Sequence, residues 1–130
     1  MPFKLTARRA LEHEEQTALF AWAKVEARRD PRLELLYAVP NGMAASSLAE
    51  ASRAKRTGMK AGVPDICLPV PAHGFHGLYI ELKRTGGTPL DVKPEQSRWL
   101  ERLNLQHYRA VVAYGWQDAM NYIQQYLEVT

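Results

Sequence analysis

Only one of the 130 residues is cysteine. Cys67 has no internal partner, so no disulfide staples the chain, and a reducing, cytoplasmic setting is the simple reading. Flanked by Ile66 and Leu68, it is expected to pack as a small apolar residue. No apolar run reaches 18 residues, so no membrane span is expected. The opening stretch MPFKLTARRALEHEEQ lacks the apolar segment of a signal peptide. Zinc has little support. His73 and His76 flank a glycine-containing turn, but neither a cysteine cluster nor an HExxH motif accompanies them. Nothing resembles a helix-turn-helix or a zinc finger, so base-specific reading of DNA is not expected. Repeats and low-complexity tracts are also missing, and no second domain is required. Residues 1–130 are expected to form one domain, large enough to bury roughly two thirds of its unfolded surface.

What the chain does have is a lopsided charge. Its net +3 combines 17 Lys and Arg with 14 Asp and Glu. Residues 1–60 hold 11 of the cations and 7 of the acids, and residues 61–130 hold 6 and 7. The excess lies in Lys4, Arg8, Arg9, Arg28, Arg29 and Arg32 and in the run Arg53, Lys55, Arg56, Lys60. Such a balance permits contact with a polyanion, and it is also a common route to solubility.

Hydrophobic spacing predicts the order α, β, α, β, β, α, β, α. Residues 11–28 form a helix on Leu19, Phe20, Trp22, Ala23 and Ala27, acidic at its start and basic at its end. LLYAV (35–39) is a short strand, followed by the punctuation Pro40-Asn41-Gly42. A second helix spans about 47–57, capped by Ser46 or Ser47, with Glu50 in capping-box position if Ser47 is the cap and Gly58 beyond its end. DICLPV (65–70) and HGLYIEL (76–82) are strands joined by a turn near His73. Residues 84–93 read as flexible around Gly86-Gly87. A helix from Pro94 to about 105 should bury Trp99, Leu100 and Leu103. RAVVAY (109–114) is a strand, and DAMNYIQQYL (118–127) is a final helix. Its apolar residues, with Trp116, suit either a core or an interface.

The chemistry concentrates in GVPDICLPVPAHGFHGLYIELKR. Strand alternation puts Tyr79, Glu81 and Lys83 on one face and Leu78, Ile80 and Leu82 on the other. A hairpin turning near His73 sets Asp65 opposite Glu81, with Cβ atoms roughly 5 Å apart. Two carboxylates so placed repel unless a positive charge lies between them. Lys83 is one source of that charge. A divalent cation is another, and hard oxygen ligands suit Mg²⁺ or Mn²⁺. The Leu82 carbonyl could add a further oxygen. Such a metal polarises a phosphate and orients water, while Lys83 holds water or offsets charge. The alternative is an edge-strand salt bridge, common and energetically weak.

Several elements in order extend this pattern: Glu12 with Gln16, Pro40-Asn41-Gly42, Gly62 to Asp65, Glu81 to Lys83, and Gln96 ahead of Trp99-Leu100. Together they resemble the VRR-NUC family, the virus-type replication and repair nucleases of the PD-(D/E)xK superfamily. The resemblance implies an α/β (α+β) fold with a restriction-endonuclease-like core, a mixed central sheet flanked by helices. It implies Mg²⁺- or Mn²⁺-dependent hydrolysis of DNA phosphodiesters. Asp65 and Glu81 would be the main metal ligands, with the Leu82 carbonyl and Glu12 as further ones, and Lys83 the catalytic lysine. Glu12 corresponds to the family's helix glutamate and shares a face with Gln16. Glu15 is its rival, and Glu14 is expected to be solvated. Gln96, otherwise an ordinary first-turn residue, would support the lysine or metal-bound water. Asn41 and Gly42, otherwise a turn, would join the DNA-facing rim.

DNA should be held mainly through its phosphates. Arg53, Lys55, Arg56, Lys60 and Arg84 are the candidates, though the helix run could equally be a solvated face. The resemblance further suggests a homodimer acting on branched DNA, Holliday junctions included, in a phage or prophage and in DNA repair. A flap or nicking nuclease, a restriction-type nuclease and a non-catalytic DNA-binding module are the competing readings.

Overall fold

The computed structural model describes residues 11–40 and 47–128. The Asn41-Gly42 turn therefore lies outside the described residues. Helix α1 spans Glu12–Glu26 and buries Glu15, Leu19 and Ala23. Its first turn is closed by Glu14, whose Oε1 accepts the Leu11 N–H at 2.9 Å. Glu14 is thus a capping residue rather than a merely solvated one. The chain leaves α1 through a 3₁₀ turn, Pro31–Leu35, capped by Asp30. That turn takes up part of the expected first strand, leaving β1 as Tyr37–Ala38.

Helix α2 covers Leu48–Arg56, and Ser47 caps it by accepting the Glu50 N–H at 3.1 Å. Strands β2 (Ile66–Leu68) and β3 (Leu78–Lys83) form an antiparallel hairpin. At the end of the hairpin arm, Ala72 and Phe75 bridge across His73 and Gly74, both at positive φ (54° and 85°). A two-residue turn with that handedness matches the right-handed twist of the strands it joins.

Residues 84–93, read from sequence as flexible, hold an ordered 3₁₀ turn, Pro89–Asp91, capped by Thr88. Helix α3 (Pro94–Leu105) then crosses to β4 (Arg109–Tyr114), which pairs parallel with β3. Trp99, Leu100 and Leu103 are only half-buried, because α3 lies on the outside of the sheet. Helix α4 (Trp116–Leu127) follows directly and starts two residues earlier than its sequence pattern predicts.

The sheet is mixed, in the order β1-β2-β3-β4. One face carries Leu78, Ile80, Leu82, Val111 and Ala113, which meet Leu19, Ala119, Ile123 and Tyr126 from α1 and α4. Ile123, Tyr126 and Leu127 thus serve the core, with Trp116, Met120 and Tyr122 packed against it. The Tyr126 hydroxyl donates to the Val70 carbonyl at 2.6 Å, tying α4 to the hairpin. The other face carries Tyr79, Glu81 and Lys83 and is the side α3 approaches. No helix among the described residues is long and apolar enough to cross a membrane.

Candidate active site

The hairpin register decides which side chains meet. Ile66 pairs with Ile80, so the next position outward sets Asp65 against Glu81. Backbone bonds hold Asp65 there. Its carbonyl accepts the Val39 N–H at 2.7 Å, and its Oδ2 accepts the Leu82 N–H at 2.8 Å. Upstream, Gly62 lies at φ +92°, and a Cβ on it would stand 2.6 Å from the Glu95 carbonyl oxygen. Only glycine allows this close approach of the Gly62-Val63-Pro64-Asp65 segment to the first turn of α3.

That first turn supplies Gln96. Its Oε1 accepts the Lys93 N–H at 2.8 Å, capping α3, and this fixes which way the amide faces. The Nε2 end then donates to Glu81 Oε2 at 2.9 Å. Lys83 Nζ lies 3.7 Å from the same oxygen. Oε2 is therefore held from two sides. Glu81 is 2% exposed and Lys83 4%, so neither is an ordinary surface ion-pair member.

Oε1 of Glu81 is different. It is buried with no amide, hydroxyl or ammonium donor on it, and the Glu81 carboxyl hydrogen-bonds to that of Asp65. Burial, then the charge on Asp65 and the hydrogen bond to it, push the Glu81 carboxyl up to about 9; Lys83 opposes this and Glu12 adds to it. Burial also raises Asp65, against the Leu82 N–H, the hydrogen bond from Glu81 and Lys83. With Glu81 protonated, Lys83 balances the one charge left on the pair; once both carboxyls ionise the pair is short of positive charge, and its hard oxygens are of the kind that suit Mg²⁺ or Mn²⁺. Among the described residues no group of three or more His, Cys, Asp or Glu side chains gathers to hold a metal.

The two helix glutamates separate clearly. Glu15 is buried, and both its oxygens are in use. Oε2 accepts the Thr85 N–H at 2.9 Å and the Thr85 hydroxyl at 2.7 Å, while Oε1 accepts the Trp116 N–H at 3.0 Å. Glu15 thus joins α1 to the end of β3 and the start of α4. Alongside it, the Gly115 N–H donates to the Lys83 carbonyl at 2.7 Å. Glu12, one turn earlier, is exposed yet close enough to act on Glu81. Sequence spacing singled out Glu15 only as a rival to Glu12; its actual partners are residues 70 and 101 positions away.

The cationic candidates are spread more widely. Arg53, Lys55 and Arg56 lie in the last turn of α2, which buries none of its residues. Lys60 is exposed on the path from α2 to Asp65, and Arg84 is half-buried just past Lys83. His73 and His76 do not meet: His76 stacks edge-on with His107 and Tyr108, and His73 with Tyr126. Cys67 is buried between its strand partners Tyr37 and Tyr79.

A profile of the VRR-NUC domain family matches residues 4–117. A solved structure described as a VRR_NUC domain protein is similar in fold, with a TM-score of 0.74 and 32% identity; the match covers 89% of this chain and 87% of that one. No curated protein matches.

Proposed function

Because the chain belongs to the VRR-NUC domain family, whose fold and nuclease class relate it to the PD-(D/E)xK enzymes, we propose that it is a divalent-cation-dependent DNA endonuclease with Asp65, Glu81 and Lys83 at its centre. The observation that carries this reading is the pairing of the Asp65 carboxyl with that of buried Glu81, beside buried Lys83. A structural salt bridge needs one carboxylate. A divalent-cation site uses two.

Asp65 and Glu81 would hold Mg²⁺ or Mn²⁺, with the Leu82 carbonyl and Glu12 as further oxygen donors. When bound, the ion polarises the scissile phosphate and makes water a better nucleophile. The protein's own groups do the rest. The Leu82 N–H holds Asp65 in place, and Gln96 keeps Glu81 from rotating away. Lys83, buried beside the pair, offsets charge on the non-bridging phosphate oxygens as the attacking water adds, and holds that water in line. Attack forms a new P–O bond as the water gives up a proton to solvent, the P–O bond to the departing strand end breaks, and that end takes up a proton from solvent. Arg53, Lys55, Arg56, Lys60 and Arg84 hold the flanking phosphates. With no base-reading element, selection falls on DNA shape, and branched DNA is the substrate we assign. Two opposed cuts at a junction need two copies of the site, so a homodimer suits that substrate.

The test is cleavage of labelled linear and branched DNAs by the wild type with Mg²⁺, Mn²⁺ or EDTA, beside Lys83→Ala. Metal-dependent cutting, reduced by about 10²- to 10⁴-fold in the variant, is expected. DNA binding without cutting in any metal would make the protein a binding module instead.

A further inference from the structure

The segment between β3 and α3 begins and ends at one atom. Lys83, its first neighbour, and Gln96, in the first turn beyond it, both reach Glu81 Oε2, at 3.7 Å and 2.9 Å. A loop anchored at both ends on the catalytic carboxylate stands at the rim of that site. At its tip is Leu90, 95% exposed.

A single exposed leucine is ordinary on a protein surface. Leu90 differs from the similarly exposed Leu48 in standing on the loop that joins Lys83 to Gln96, and its backbone is held there. The Thr88 N–H donates to Asp91 Oδ2 at 2.8 Å, and the Leu90 N–H donates to Thr88 Oγ1 at 3.2 Å. The Asp91 and Val92 N–H groups donate to the Thr88 and Pro89 carbonyls at 2.9 and 3.1 Å. At the base of the loop the Gly87 N–H donates to the Arg84 carbonyl at 3.0 Å. This capped turn directs Leu90 outward instead of folding it onto the sheet. Cations flank it on either side in the chain, Arg84 at the start and Lys93 at the end.

We propose that Leu90 is a wedge that enters the base stack at the branch point of the DNA substrate, with Arg84 and Lys93 on the phosphates either side. The proposal rests on the nuclease reading above and adds the source of its selectivity. An apolar side chain pushed between base pairs has to break stacking worth a few kcal/mol per step. A branch point, already partly unstacked, costs less to open than continuous duplex. A rigid leucine on the loop anchored at Glu81 therefore favours branched DNA without reading any base.

Because Leu90 packs on nothing, its substitution should leave folding intact. The experiment compares wild type, Leu90→Ser and Leu90→Met on a branched and a linear DNA of matched sequence. It also follows 2-aminopurine fluorescence at the branch point, with Ca²⁺ replacing Mg²⁺. Leu90→Ser should cut branched DNA about tenfold more slowly, cut linear DNA at the wild-type rate and lose the fluorescence rise. Leu90→Met should behave like wild type. An unchanged branched-to-linear ratio with the fluorescence rise intact would overturn the wedge. So would equal loss on both DNAs with a changed sedimentation coefficient, which would make Leu90 a contact between copies. A wild type that raises fluorescence but cuts nothing would support the wedge and overturn the nuclease reading alone.

Discussion

At Glu81 the loss of water and the Asp65 carboxylate opposite act in one direction, favouring the protonated acid. The folded carboxyl titrates near 9 against an ordinary 4.5. Between those values the folded protein holds a proton that the unfolded chain has released. The stability this contributes is complete below 4.5 and is lost as pH rises through 9. Asp65, also raised, adds with the same sign. In the absence of divalent ions the protein should therefore melt at a lower temperature at pH 8.5 than at pH 6. Glu81→Gln should flatten that slope and raise the melting temperature at pH 8.5, a comparison that thermal denaturation at the two pH values makes directly. Residue types were the most legible part of the site. Alternation and a turn near His73 were enough to bring Asp65, Glu81 and Lys83 to one face. Burial was not legible, since IELK reads equally well as an exposed edge, and burial is what raises the Glu81 carboxyl out of the ordinary carboxylate range.

Elements reach the site through joints, and Glu15 is the main one. Its two oxygens accept three donors from Thr85 and Trp116. Glu15→Ala would remove the buried acceptor of those donors, at about 1–3 kcal/mol for each that water cannot reach; Thr85 is exposed, so the loss falls chiefly on the Trp116 N–H. Thr85→Val removes only the hydroxyl and should cost about 1 kcal/mol. Urea denaturation should order the midpoints wild type, Thr85→Val, Glu15→Ala, and equal midpoints would deny Glu15 this role. Local pattern predicted the element order and a cap at Ser46 or Ser47, because capping and periodicity are short-range. It failed where long-range partners decide. The 84–93 segment looked loose from its glycines, yet Thr88 and Asp91 order it. LLYAV looked like five strand residues, yet Asp30-Pro31 starts a 3₁₀ turn that reaches Leu35. The helix at 94–105 looked like core, yet it rides on the outside of the sheet.

For the whole molecule, Arg53, Lys55, Arg56, Lys60 and Arg84 are the cations we assign to the DNA phosphates. Arg53, Lys55 and Arg56 are on a helix that buries none of its residues, so replacing them should not harm the fold. With all three changed to alanine, the slope of log affinity for DNA against log salt should fall by about 0.9 for each phosphate the protein no longer neutralises. An unchanged slope would make that helix a solvated face. Charge asymmetry in the sequence singled out this run, and Lys60 and Gly62 lie on the chain between it and Asp65.

All of this depends on Asp65 and Glu81 sharing a divalent ion. Calorimetric titration of Mn²⁺ at pH 8 into the wild type, Asp65→Asn and Glu81→Gln tests it without DNA or catalysis. Saturable binding by the wild type, absent from both variants, is the expected result. Equal Mn²⁺ affinity in all three proteins, or none in the wild type, would contradict it.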